Sequence, residues 1–159
     1  MRKENYFHDF DGPGWPTPAE MKTYFSAERW VSEGGNDSGN DNWTLKVEGL
    51  YGTDALPHRD AVNVTLYMTG TPDHGVTLTY DKWDGRIQRK DSYASKGNLR
   101  RMREFVRSLH GDLLCIGLFV PFESAWRAVK DFIESDGELP TSIEWIASPD
   151  LPPGTFPEA

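Results

Sequence analysis

The chain has a single cysteine, no long apolar run and no excess of positive charge, and each shortage argues against a class of protein. One cysteine, Cys115, cannot form an intramolecular disulfide, and its position between Leu114 and Ile116 predicts a buried thiol. No apolar segment approaches the roughly 18 residues that a membrane span needs. The first residues are charged and lack the apolar segment of a signal peptide. We therefore expect a cytoplasmic protein with no membrane partner.

The charge balance is strongly acidic. The chain has 25 acidic and 17 basic residues, which give a formal net charge of −8. Proteins that contact phosphates directly need clustered lysine and arginine, so we expect no direct nucleic-acid partner. A basic protein partner is compatible with this charge, although acidity also keeps many proteins soluble.

Motifs of catalysis and metal binding are also missing. The chain contains no Gly-x-Ser-x-Gly, no glycine-rich phosphate loop and no Cys-x-x-Cys. The four histidines, His8, His58, His74 and His110, do not have the spacing of a zinc site. We expect no metal, no cofactor and no enzymatic activity.

One enzymatic alternative stays open. Asp9 and Asp11 form an Asp-x-Asp pair, but the distal glutamate of a calcium loop is missing, and a phosphatase-like site would need a buried strand before it. An acidic turn explains the pair more simply. The alternative is a small α+β enzyme that uses these two aspartates or Cys115.

Several segments alternate apolar and polar residues with the period of a strand that is buried on one side. Residues 43–48, 62–68 and 76–80 show this pattern, and Asp84-Gly85 predicts a tight turn into a fourth strand at 86–93. One-sided strands of this kind favour an antiparallel meander. Residues 112–120 are apolar on both sides and predict a central strand, and 141–147 predict a closing strand.

Two segments show helical periodicity. The first begins at Pro121, ends before Gly137, and places its apolar residues on one face: Ala125, Trp126, Val129, Phe132 and Ile133. The second, with Asn98 as its cap, would bury Leu99, Met102, Phe105, Val106 and Leu109 beside the first. Thr17-Pro18 predicts a short helix over 18–27. The fold class predicted is α+β: an antiparallel or mixed sheet of about five or six strands, two main helices on one face and a short N-terminal helix.

The length of 159 residues predicts one domain. Within it we expect an irregular arm, the short helix and a flexible loop over 1–42, a core over 43–147 and an extended proline-rich tail over 148–159.

Three segments of the C-terminal half carry a family resemblance. They are Tyr93-Ala-Ser-Lys-Gly-Asn98, the segment from Gly117 through Pro121 and Trp126 to Phe132, and Gly137-Glu-Leu-Pro-Thr-Ser-Ile-Glu-Trp145. In these segments the chain resembles the Imm-one class of immunity proteins from bacterial polymorphic toxin systems. The resemblance implies an α+β protein that binds a cognate toxin domain and blocks it, and such toxins are often nucleic-acid deaminases.

A basic toxin would meet this acidic chain through carboxylates in its turns and through aromatic anchors. The residues predicted for this surface are Asp9, Asp11, Trp15, Trp30, Asp73, Asp81, Trp83 and Asp84. Each aspartate is also an ordinary turn former. The basic residues between Lys96 and Arg107 are expected to be a solvated face that pairs with neighbouring carboxylates. An adaptor that docks another basic protein is the third hypothesis.

Overall fold

The computed structural model describes residues 1–7, 10, 14–26, 42–108 and 111–157. Within these residues the chain forms an antiparallel sheet of seven strands, a two-stranded hairpin and two α-helices. The helices are α1 (Pro18–Lys22) and α2 (Phe122–Glu134). The strands are β1 (Arg2–Asn5), β2 (Asn42–Glu48), β3 (Val62–Thr71), β4 (Gly75–Asp84), β5 (Arg89–Ser95), β6 (Phe105–Arg107), β7 (Leu113–Cys115), β8 (Phe119–Val120) and β9 (Trp145–Ala147).

The strand order in the large sheet is β1-β2-β3-β4-β5-β9, and β8 pairs with the start of β4. Strands β6 and β7 form the separate hairpin. The α+β class is confirmed, and the sheet is antiparallel throughout. No helix among the described residues has the length and apolar content that crossing a membrane requires.

The alternating strands β2, β3 and β4 form the centre of the sheet. Their apolar residues are buried on one face, while the residues between them line the other. Alternation arises because successive side chains of a strand point to opposite faces. The predicted half-buried strands at 43–48, 62–68 and 76–80 are therefore confirmed. The turn between β3 and β4 is limited to residues 72–74, because Thr71 already pairs with Gly75.

Helix α2 covers the apolar face of the sheet, as predicted. Ala125, Ala128, Val129 and Phe132 are fully buried, and Trp126 and Ile133 pack at the margin. Pro121 is the N-cap rather than the first helical residue. At the other end Gly137 adopts a left-handed conformation with φ 107°, and its N–H donates to the Phe132 carbonyl at 2.9 Å.

The prediction of a second long helix is wrong. Asn98 does act as a cap, because its side chain accepts the Arg100 N–H at 3.1 Å, but the helix it caps is a single 3-10 turn (Leu99–Arg101). The chain then enters β6, which pairs with β7 instead of continuing as a helix. Leu99 is 53% exposed, so the expected apolar stripe is not buried beside α2.

Other boundaries also differ from the prediction. Residues 112–120 do not form one central strand, because the 3-10 turn Ile116–Leu118 separates β7 from β8. The N-terminal arm contributes the edge strand β1, and α1 ends at Lys22. The closing strand is limited to β9, and the tail starts with a 3-10 turn, Ser148–Asp150. The predicted flexible loop lies outside the described residues except for Asn42.

Phe132→Ala tests the cover that α2 gives the sheet. Phe132 is 0% exposed and its ring lies 5.1 Å from that of Trp15 and 6.2 Å from that of Tyr80. We expect the free energy of unfolding to fall by about 3–5 kcal/mol, the usual cost of truncating a buried phenylalanine. Urea unfolding measures it. Phe156→Ala is the matched control, because Phe156 is 63% exposed and its loss should cost less than about 1 kcal/mol. Equal losses for the two variants would contradict the placement of α2.

Candidate partner-binding site

The end of β5 is fixed by a buried serine. The Ser95 hydroxyl, which is inaccessible to solvent, donates to the Leu118 carbonyl at 2.7 Å and accepts the Leu78 N–H at 2.9 Å. Two residues later the Gly97 N–H donates to the Gly117 carbonyl at 3.0 Å. A β-carbon at Gly97 would lie 2.1 Å from the Phe119 carbonyl oxygen, so this close approach requires glycine.

The segment before β9 joins the same junction from the other side. The Lys96 N–H donates to the Glu144 carbonyl at 3.0 Å, and the two side chains form a long ion pair at 3.8 Å. The indole N–H of Trp145 donates to the Pro140 carbonyl at 2.8 Å, which folds the segment back on itself. The three sequence segments that carry the family resemblance therefore meet around Lys96.

Two grooves open beside Lys96. The larger, which we call the main groove, has a volume of about 1050 Å³ and runs between the 99–105 segment and the β9 strand with the tail after it. Its apolar lining is Leu99, Met102, Phe105, Trp145, Ile146, Ala147, Pro152, Pro153 and Gly154. Its charged lining is Lys96, Arg100, Arg103 and Asp150. The smaller groove, of about 650 Å³, lies between Gly97, Pro121 and Ile143.

The cations near the main groove divide into paired and unpaired groups. Arg101 forms two hydrogen bonds of 3.1 Å with Glu104, which lower the pKa of that carboxyl. Arg107 donates to the Gly111 carbonyl at 2.8 Å. Arg100 and Arg103 form no salt bridge within the part of the chain that the structure describes. The expectation that the basic residues pair with neighbouring carboxylates holds for Arg101 and for Lys96, but not for Arg100 and Arg103.

Exposed apolar residues accompany the unpaired cations. Leu99 is 53% and Phe105 36% exposed, although helical spacing predicted that both are buried. Unpaired guanidinium groups beside exposed apolar side chains are typical of a surface that binds a partner. Sequence reasoning missed this site, although the run of cations between Lys96 and Arg107 in an acidic chain was the signal for it.

The predicted toxin-binding residues do not form one patch among their described members. Asp9, Asp11 and Trp30 lie outside the described residues. Asp73 is in the turn before β4 and Asp84 is at the far end of that strand, about 30 Å away at the usual rise per residue.

Asp81 and Trp83 share the face of β4 that α2 does not cover, and both have internal partners. Asp81 accepts the Ser92 hydroxyl at 2.6 Å, and the Trp83 indole N–H donates to the Arg59 carbonyl at 2.9 Å. Asp84 holds Arg86 through bonds of 3.0 and 2.9 Å, and this contact lowers the pKa of the Asp84 carboxyl.

Trp15 is half-buried on the opposite side of the sheet. Its ring packs on Phe132, and its indole N–H donates to the Lys46 carbonyl at 2.9 Å. Its described surroundings are therefore those of a core residue rather than an exposed anchor.

The environment of Cys115 opposes nucleophilic chemistry. The residue is 2% exposed, its Sγ lies 3.3 Å from the Met102 carbonyl, and burial raises the pKa of the thiol. The thiolate is the reactive form, so a raised pKa makes the side chain less reactive at neutral pH. Within the described ranges, no three His, Cys, Asp or Glu side chains are grouped as metal ligands.

Ser95→Ala tests the junction. The substitution leaves the Leu78 N–H and the Leu118 carbonyl buried without their hydroxyl partner. We therefore expect the free energy of unfolding to fall by about 1–3 kcal/mol. Ser142→Ala, at an exposed serine that lines the smaller groove, is the control and should change stability by less than about 0.5 kcal/mol. Thermal and urea unfolding give both values. An unchanged midpoint for Ser95→Ala would mean that this hydroxyl does not hold the junction.

Alkylation with iodoacetamide tests the state of Cys115. At pH 7 the native protein should react at least about tenfold more slowly than the urea-unfolded chain, and the rate should rise only at higher pH. Mass spectrometry over time measures both rates. A native rate equal to the unfolded one would contradict the burial of the thiol and would revive the enzyme hypothesis.

A comparison of the chain with models of protein families, with curated proteins and with solved structures finds no match.

Proposed function

We propose that this protein is an immunity protein that binds a cognate toxin domain and neutralises it without catalysing a reaction. The observation that carries the proposal is the meeting of the three resembling segments around Lys96, beside the main groove. Lys96 and Trp145 of these segments line the groove, and its unpaired cations and exposed apolar side chains follow directly after the first segment, at Leu99, Arg100, Arg103 and Phe105. A binding protein needs such a surface, because desolvated apolar anchors supply most of the affinity of an interface.

The overall charge supports the same function. Toxin domains that act on nucleic acid, such as deaminases, need basic surfaces for their substrates. A partner with a net charge of −8 attracts such a domain over long distances and accelerates association. Neutralisation then follows if the bound immunity protein covers the toxin surface that its substrate requires.

The test uses the toxic domain encoded by an adjacent gene. Co-expression with this protein should restore growth, and the two purified chains should form a complex whose association rate falls with added salt. The double variant Leu99→Asp, Phe105→Asp changes only exposed residues of the main groove and should weaken the complex by about 2 kcal/mol or more. Surface plasmon resonance measures both quantities.

The control is Leu56→Asp, Tyr67→Asp, which changes two residues of similar exposure that do not line either groove. This variant should bind and protect like the natural protein. No adjacent toxin gene, or no complex with its product, would contradict the proposed function. Equal binding by the two double variants would remove the main groove from the interface.

A further inference from the structure

Strand β9 ends the sheet and pairs only with β5 among the described strands. The Lys96 N–H donates to the Glu144 carbonyl, so these two residues are a hydrogen-bonded pair of the antiparallel ladder. Ala94 and Ile146, two positions further along the ladder, are the next hydrogen-bonded pair. Hydrogen-bonded and non-hydrogen-bonded pairs alternate along such a ladder. The N–H and C=O of Trp145 and the N–H of Ala147 therefore point away from β5. Within the described chain, no turn, loop or side-chain hydrogen bond uses these groups.

The main groove runs along this strand, since all three residues of β9 line it. An extended segment placed there could pair with the outward peptide groups of β9. This is the way in which many domains bind peptides at an open sheet edge, with backbone bonds for affinity and side-chain pockets for specificity. A strand added to β9 would lie about 5 Å from it.

The side chains of the 99–105 segment, on the other wall of the main groove, indicate which kind of segment binds there. Arg100 and Arg103 are unpaired among the described residues, whereas Asp150 is the one carboxylate in the lining. Leu99 and Phe105, which flank these arginines in the sequence, supply exposed apolar surface. Successive side chains of a strand point to opposite faces, so a segment with acidic residues at every second position would turn its carboxylates toward the arginines and its apolar residues toward the other face, where Trp145 of β9 lies.

We infer that the main groove binds an extended acidic and apolar segment of the partner protein, which adds as a further strand at the edge of β9. The identification of the partner as a toxin rests on the proposed function, while the binding mode rests on β9 and the groove. Lys96, whose ammonium group also pairs with Glu144 at 3.8 Å, lines the same groove and adds a third positive charge.

The probe is the capped peptide Glu-Val-Glu-Leu-Glu-Val, titrated into the isotopically labelled full-length chain and followed by NMR. Saturable amide shifts should be confined to residues 96–105 and 145–154, and exchange of the Ala147 amide with solvent should slow. The peptide Lys-Val-Lys-Leu-Lys-Val has the same pattern with the opposite charge and should not bind. No saturable shift with the acidic peptide at millimolar concentration, or shifts centred elsewhere, would overturn the inference.

Two pairs of variants separate the backbone and charge contributions. Ala147 has φ −66°, which proline can adopt, so Ala147→Pro removes the outward N–H without disturbing the β5 ladder. It should weaken peptide binding about tenfold or more, while Ala147→Ser, which keeps the N–H, should not. Arg100→Glu, Arg103→Glu should weaken binding by at least about the same factor. Its control, Arg127→Glu, Lys130→Glu, makes the same charge change on the exposed side of α2.

Unfolding curves of Ala147→Pro that match those of the natural chain show that any loss of binding is local. Unweakened peptide binding by Ala147→Pro would overturn strand addition. If this variant loses the peptide yet still neutralises the toxin, the partner binds in another way and the inference fails while the proposed function stands. If the natural protein binds the peptide at β9 but does not protect against the toxin, the proposed function fails and the groove remains a peptide site.

Discussion

Helix α2 buries one face of the sheet, and this packing joins the helix to the central strands and to Trp15 of the N-terminal arm. Phe132 packs between Trp15 and Tyr80, and the Tyr80 hydroxyl donates to the Gly137 carbonyl at 2.8 Å, so the end of the helix is tied to the sheet. A helix of 13 residues is about 20 Å long, which is less than the width of a sheet with this many strands. At the β9 end of the sheet, Tyr93 and Trp145 pack at the margin of this core, and the opposite face of the same strands is covered separately.

A second group of buried residues covers the face of the sheet opposite α2 at this end. Tyr93 lies on the face that α2 covers, so its neighbour Ala94 points to the opposite face, where it packs with Cys115 and Leu118 in a second cluster. The β6–β7 hairpin and the turn after it supply this cluster. Ser95 lies between the two cores and satisfies backbone groups from both β4 and the 116–118 turn. The main groove lies between the 99–105 segment, which leads into this hairpin, and β9 with the tail after it.

The central strands and α2 were predictable because each has a periodicity that only one structure satisfies. The 98–109 segment was not, because apolar residues three apart, such as Leu99, Met102 and Phe105, fit a helix as well as a turn followed by a strand. Contacts with residues distant in the sequence determine the structure of this segment. Met102 packs so closely against Gly117 that a β-carbon on Gly117 would lie 2.4 Å from the Met102 sulfur, and Phe105 pairs with Cys115. The main groove joins segments about 50 residues apart and requires Leu99 and Phe105 to be exposed, which their apolar character argued against.

Charge acts at two distances in the proposed function. The net charge of −8 belongs to the whole chain and attracts a basic domain from afar, whereas salt screens charges beyond about 8 Å under physiological conditions. Within that distance a partner in the main groove meets Arg100 and Arg103 instead. A basic toxin that presents an acidic and apolar strand would complement both the negative charge of the whole chain and the positive charge of the main groove. Many other basic proteins would complement only the net charge, so the groove would give the specificity that net charge cannot.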